Sequence, residues 1–277
     1  MILDCAGKQL DLGSPQVMGI LNLTPDSFSD GGRFLDAEIG LQHALRMVRE
    51  GAAIIDVGGE STRPGAQTVS VEEELDRVIP LIERLVEEIP VPISIDTSKP
   101  AVMREAVAAG AGMINDIMAL QEPGALSTAA GLGVPVCLMH MQGKPRTMQN
   151  APHYEDVVDE VMGFLRQRLD AAVAAGIPRH DLIVDPGFGF GKTLAHNLSL
   201  LKQLRSLHEL AAPILVGISR KSMIGTILGD VPVDDRLIGS VAAAVVAVMD
   251  GAAIIRVHDV RETVDALKVV SAVRSIT

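Results

Sequence analysis

Val17-Met18-Gly19-Ile20-Leu21, with Asn22-Leu23-Thr24-Pro25-Asp26 after it, decides between the two folds open to this chain. The first five residues are apolar with no polar alternation, the pattern of a strand buried on both faces. A doubly wound sheet would place a G-x-G-x-x-G turn directly after that strand. Asparagine, threonine, proline and aspartate stand there instead. Seven further runs of the same kind follow, at Ala53–Val57, Val91–Ile95, Gly112–Ile114, Val134–Met139, Leu182–Val184, Ile214–Ile218 and Ala252–Val257.

Helical stretches separate the runs. Val71 to Glu88 opens with Glu72-Glu73-Glu74, and acidic residues suit a helix N-terminus. Pro100 to Ala109 begins with proline and stops before Gly110. Tyr154 to Ala175 is amphipathic and stops before Gly176. Eight buried strands alternating with helices over roughly 250 residues predict a (β/α)8 TIM barrel. No linker divides the 277 residues, so one domain spanning 1–277 is expected. The first dozen residues, with turn points at Gly7 and Gly13, predict a hairpin that covers the barrel floor.

Composition narrows the partners. The formal net charge of -11 argues against a nucleic-acid groove or an anionic membrane as main partner. A small anionic substrate stays open, because a few clustered basic groups set the local field. Aromatic residues are only 2%, so the core must be built from Ala, Val, Ile, Leu and Met. Cys5 and Cys137 show no ligand spacing and read as reduced thiols, with Cys137 a small core residue. Residues Met1 to Lys8 lack the charged start and apolar stretch of a signal peptide. The longest apolar run, Val241 to Met249, is too short to span a bilayer. A cytoplasmic protein is expected.

In a barrel of this type, chemistry sits where the strands end. The polar residues there are Asn22, Asp56 with Gly58-Gly59-Glu60-Ser61-Thr62-Arg63-Pro64-Gly65 after it, Asp96, Asn115-Asp116, His140, Asp185, Ser219-Arg220-Lys221, and Arg256 with His258. Singly, each reads as a turn or cap former. Together they put Arg, Lys and His at one mouth, which turns do not require. Asp96, Asn115 and Asp185 suit a flat heterocycle edge with N–H donors, since a carboxylate accepts two parallel N–H bonds. Lys221 can donate to a ring carbonyl or nitrogen. Arg63, Arg256, His258 and Asn22 suit an anion, which guanidinium groups grip as a fork.

Other chemistries fit poorly. Pro186-Gly187-Phe188-Gly189-Phe190-Gly191-Lys192-Thr193 approaches a P-loop, but Pro186 replaces its first glycine, and a mobile glycine-rich loop is the plainer reading. No HExxH and no strand-end HxH marks a zinc site. Ser219 lacks the G-x-S-x-G elbow. Lys221 lies past its strand rather than inside the barrel, as a Schiff-base lysine would.

Longer motifs carry a resemblance. Met18-Gly19-Ile20-Leu21-Asn22-Leu23-Thr24-Pro25-Asp26-Ser27-Phe28-Ser29-Asp30-Gly31-Gly32 and Asp56-Val57-Gly58-Gly59-Glu60-Ser61-Thr62-Arg63-Pro64-Gly65 resemble the two signatures of the dihydropteroate synthase family. Ile95-Asp96-Thr97, Ile114-Asn115-Asp116, Asp185-Pro186-Gly187-Phe188-Gly189-Phe190, Gly217-Ile218-Ser219-Arg220-Lys221-Ser222 and Arg256-Val257-His258-Asp259 extend it from about residue 15 to 270. Arg33 to Gly40 is the least similar part.

The resemblance implies a transferase that joins 6-hydroxymethyl-7,8-dihydropterin diphosphate to 4-aminobenzoate by an SN1-like substitution. It implies that Asp96, Asn115, Asp185 and Lys221 bind the pterin ring. Asn22, Arg256 and His258 would hold the diphosphate, with Asn22 also near Mg2+ and Thr62 at the same substrate. Phe28, Thr62, Arg63, Pro64, Lys221 and Ser222 would form the 4-aminobenzoate pocket once two loops, Thr24 to Phe34 and Ser61 to Val69, close. Asp30 would stabilise positive charge at the reacting methylene, and sulfonamides would compete for the site. The rival readings are a pterin-dependent methyltransferase domain with a corrinoid partner, and a non-catalytic pterin-binding barrel. Ser240 to Met249 is apolar nearly all round, although a barrel helix should keep a wet outer face, so a homodimer is expected.

Overall fold

The computed structural model describes residues 1–23, 33–61, 68–144 and 147–276, with backbone only over 33–36. An antiparallel hairpin, β1 (Ile2–Cys5) and β2 (Lys8–Asp11), precedes eight parallel strands. These are β3 (Gln16–Asn22), β4 (Ile54–Gly58), β5 (Ile93–Asp96), β6 (Met113–Asp116), β7 (Val136–Met139), β8 (Leu182–Asp185), β9 (Leu215–Val216) and β10 (Ile254–Val257). Helices α1 (Arg33–Arg49), α2 (Val71–Glu88), α3 (Pro100–Ala108), α4 (Ala125–Leu132), α5 (Val157–Ala174), α6 (Leu194–Lys202), α7 (Ser222–Ile227), α8 (Leu237–Met249) and α9 (Val260–Arg274) lie between and after them. The sheet runs β8-β7-β6-β5-β4-β3-β10-β9. A bridge between Val184 and Ile214 closes it, and the Val184 N–H donates to the Pro213 carbonyl at 3.0 Å. This is the expected (β/α)8 barrel. No described helix is long and apolar enough to cross a membrane.

All eight apolar runs coincide with strands, most within two residues at their ends, and one run and one helix differ in an informative way. The run at Ile214–Ile218 forms a strand only over Leu215–Val216, with Ile214 bridged to Val184, because the chain then leaves the sheet for a turn in which Arg220 sits at φ 57°. The helix expected from Tyr154 begins at Val157, where Asp156 caps it by accepting from the Val158 and Asp159 N–H groups. Tyr154 instead sends its hydroxyl to the Gly191 carbonyl at 2.8 Å. Helix α2 starts as its acidic turn predicts, with Ser70 and Glu73 in a reciprocal capping box.

Strand side chains alternate, and here the alternation builds two cores. Val17, Ile55, Val57, Ile95, Val136, Val184 and Ile255 face the helices. Met18, Ile54, Met113, Cys137, Ile183, Leu215 and Ile254 point into the barrel at its floor, where Leu3, Cys5 and Leu10 of the hairpin seal them. The hairpin sits so close that a Cβ on Gly112 would lie 2.3 Å from the Cys5 carbonyl oxygen. Gly112→Ala must therefore lift the hairpin. We expect a loss of about 1–3 kcal/mol, the usual range for overpacking, read as a lowered Tm.

Candidate active site

The same alternation places the polar groups. Two residues beyond Ile54, Met113, Ile183 and Ile254 of the floor come Asp56, Asn115, Asp185 and Arg256. Strand geometry thus aims them into the barrel one layer above an apolar floor. Register aligns Asn22 with Gly58, Gly58 with Asp96, and Asp96 with Asn115, a row across four neighbouring strands.

Arg256 ties this layer together. Its Nε donates to Asp56 Oδ2 at 2.6 Å and its Nη2 to Asp96 Oδ2 at 2.7 Å. Asn115 Nδ2 donates to the same Asp56 oxygen at 3.1 Å. Burial works against the Arg256 charge, but Asp56 and Asp96 outweigh it and hold its pKa above the ordinary value. Burial raises Asp96 to about 7, against the pull of Arg256 and with the help of Asp56.

The second group lies on the β8–α6 and β9–α7 connections. Asp185 is buried, and its Oδ1 accepts the Gly187 N–H at 2.7 Å. Lys221 donates to the Phe188 carbonyl, and its Nζ stands 4.5 Å from the centre of the Phe190 ring. Burial raises Asp185 while Lys221 opposes the rise. Burial lowers Lys221 to about 8 while Asp185 opposes the fall. Ser222, the first residue of α7, is exposed beside Lys221. His258 Nδ1 lies 3.1 Å from Ser219 Oγ, and Arg220 forks onto Asp259 at 2.9 and 2.5 Å.

Asp96, Asn115 and Arg256 therefore form one contact network, with Asp185 and Lys221 coupled electrostatically to it. Asn22 ends β3, and its Oδ1 is 3.3 Å from where a Cβ on Gly58 would sit. Phe28, Asp30, Thr62, Arg63 and Pro64 lie outside the described residues. The flanks of that second segment are anchored. Glu60 pairs with Lys99 at 2.5 Å and accepts the Val69 N–H at 3.3 Å, and Lys99 also bridges to buried Glu74.

Two strand-end residues serve the scaffold instead. Asp116 is buried and accepts the N–H groups of Met118 and Leu120 at 2.8 and 2.7 Å, the turn-forming role. His140 is buried with its Nδ1 2.8 Å from Lys192 Nζ. The loop that holds Lys192 also departs from expectation. It is stapled rather than loose, because Lys192 Nζ donates to two carbonyls of the loop itself and meets His140 beside it. Asp56 is the strand-end residue to which the sequence reading gave no role in the site. A carboxylate at the inward step after Ile54 was the available signal.

Among the described residues, no group of three or more His, Cys, Asp and Glu could hold a metal ion. Asn22 could offer one amide oxygen. That donor set fits a Mg2+ that arrives on a diphosphate, since Mg2+ keeps several waters and binds through substrate phosphates.

The model of the pterin binding enzyme family matches residues 18–258. The dihydropteroate synthase of Escherichia coli strain K12 is 57% identical over 275 residues, covering 99% of this chain and 97% of that protein. The solved structure of Xanthomonas albilineans dihydropteroate synthase with 4-aminobenzoic acid superposes with a TM-score of 0.95 at 56% identity, covering 100% of this chain and 99% of that one. The same enzyme in complex with 7,8-dihydropteroate gives a TM-score of 0.92 at 53% identity, with 100% of both chains covered. A barrel with an acceptor-lined interior, a guanidinium at its centre and full-length likeness of this degree leaves one assignment: the chain belongs to the pterin-binding enzymes, among the dihydropteroate synthases.

Proposed function

We propose that this chain condenses 6-hydroxymethyl-7,8-dihydropterin diphosphate with 4-aminobenzoate, giving 7,8-dihydropteroate and diphosphate. The observation that carries the reading is the inward layer in which Arg256 joins Asp56 and Asp96 beside Asn115, Asp185 and Lys221. Asn115 and Asp185 present an amide and a carboxylate to the N–H edge of the ring, and Lys221 donates to its carbonyl or nitrogen side. Arg256, His258 and Asn22 take the diphosphate. Phe28, Thr62, Arg63, Pro64, Lys221 and Ser222 form the 4-aminobenzoate side.

The C–O bond to the diphosphate breaks with its electron pair on oxygen. The aniline nitrogen then forms the C–N bond and loses a proton. An electron-rich ring makes this an SN1-like step through a cationic methylene. Asp30, and Asp96 and Asp185 in their ionised forms, favour that cation, while Arg256 and His258 stabilise the departing anion. When bound, Mg2+ supplies further neutralisation of the diphosphate charge. No protein nucleophile is required. Mixing both substrates with Mg2+ should release diphosphate, omission of either should abolish release, and a sulfonamide should inhibit it. Absence of release with both substrates present would sink the reading.

The assembly is a homodimer in this reading. Helix α8 turns Ala243, Ala244, Ala247 and Val248 inward, yet Ile238 is 81% exposed, and Val246 and Met249 are also exposed. Val269 and Val273 extend the apolar face onto α9, and Leu237, Ile238, Val241, Ala242 and Glu262 line a shallow groove on it. A second copy of this face is the fitting cover, because isologous contacts are self-complementary. Ile238→Glu is expected to give a folded monomer by sedimentation at micromolar concentration, where the unaltered protein sediments as a dimer. Free, buried Cys5 and Cys137 accord with a reducing cytoplasm.

A further inference from the structure

We infer that Lys192 is a positioning residue that sets the ring acceptors and Lys221 at their working places, acting through the Gly187–Phe190 loop. The inference rests on the reaction proposed above. Lys192 is only 3% exposed and touches no substrate-facing group directly. Its Nζ donates to the Gly187 carbonyl at 2.9 Å and the Phe190 carbonyl at 3.1 Å, and meets His140 Nδ1 at 2.8 Å. Burial lowers Lys192 to about 7, against the pull of Asp185; in the charged form its three protons match these three partners, with the His140 carbonyl a longer fourth contact at 3.5 Å.

The acceptor role of His140 is consistent with its charge state. Burial and the Lys192 charge push the imidazole down to about 3, so it is neutral and can leave Nδ1 as an acceptor. Its own backbone N–H donates to the Asp185 carbonyl at 2.9 Å, which keeps β7 and β8 in step where the loop departs.

What the staple holds is the substrate side of the loop. The Gly187 N–H fixes Asp185 Oδ1, the Phe188 carbonyl receives Lys221, and the Phe190 ring lies beneath the Lys221 ammonium. One N–H, one carbonyl and one ring of the same loop thus seat two groups of the pterin site. The loop has little slack. Gly187 sits at φ 68°, and a Cβ there would fall 1.8 Å from the His140 carbonyl oxygen. Asn197 Oδ1 accepts the Gly189 N–H at 2.8 Å, closing the outer side. Without Lys192, two inward carbonyls and an imidazole nitrogen lose their shared donor, and the loop must move to find water.

Lys192→Met keeps the stem and removes the donor. It is expected to weaken binding of 6-hydroxymethylpterin, measured by calorimetry, by about tenfold or more, since displacement of a supporting group by ~1 Å has effects of that size or larger. KM for 4-aminobenzoate should rise as well. Thr193→Ala is the matched control. It removes the α6 cap that accepts the His196 N–H and lowers Tm, but should bind the pterin like the unaltered protein. Unchanged affinity in Lys192→Met, or equal weakening in both variants, would overturn the inference. If Lys192→Met does not fold, His140→Leu decides: it strips one of the three acceptors and should weaken binding about threefold, and unchanged affinity would overturn the inference. Failure of the unaltered protein to release diphosphate would instead count against the proposed reaction, while the calorimetric comparison still judges the staple.

Discussion

Arg256→Ala is expected to slow diphosphate release at saturating substrates by on the order of 10²-fold or more, the usual size for loss of an electrostatic transition-state contact. The effect has two sources. The leaving anion loses its guanidinium. The ring side also changes, because Asp56 and Asp96 are left as buried carboxylates without their shared cation. Burial already raises Asp96 to about 7 with Arg256 present, so its removal drives that carboxyl further toward the neutral form. A neutral Asp96 no longer favours a cationic methylene. Arg256→Lys should fall between the two, since one ammonium cannot reproduce a fork that spans two carboxylates. Single-turnover release with circular dichroism as a fold control is the measurement. A wild-type rate in the alanine variant would remove Arg256 from the anion site.

Asp185→Asn should weaken pterin binding by about 10- to 100-fold, the range for replacing a charged acceptor that takes two N–H bonds. The scaffold contact survives, because an asparagine oxygen can still accept the Gly187 N–H. The loss therefore belongs to the ligand. Its pH dependence gives a second check. Burial raises Asp185 above the ordinary carboxylate pKa, so as pH falls the free protein protonates this group earlier than an exposed aspartate. Binding that needs the carboxylate must weaken over the same window. The asparagine variant should show a flatter profile, with Asp96 at about 7 carrying the remaining slope. Calorimetry across that range tests both parts, and an affinity equal to wild type at neutral pH would end the assignment.

The eight strands were readable because burial on both faces leaves a mark in each run separately. The strand-end residues were readable for the same reason: each follows its own run or, like Asp56 and Arg256, interrupts its end. What the chain order hides is which of them meet. Arg256 pairs with Asp56 across 200 positions, and nothing local to either predicts it. Asp56 read as a strand residue until its inward neighbours were known. The β8–α6 loop read as mobile because its glycines were visible and its internal acceptors were not. Gly187, Gly189 and Gly191 all sit at positive φ, so the glycines serve a fixed conformation here rather than freedom. His140 and Asp116 stood in the same strand-end list as the site residues because turns and sites share strand ends. The apolar character of α8 was plain in the sequence, and the exposed side chains lie where a wet face should be.

The plug at the floor has a consequence for how the chain assembles. A lone two-stranded hairpin is at best marginally stable in water. Residues 2–11 are made before the strands that receive them, and that surface includes both Met18 and Ile254. The hairpin surface is incomplete until the chain has been made as far as Ile254. Hydrogen-exchange protection at Leu3 and Leu10 would therefore report the last event of maturation, the closing of the ring, rather than the first.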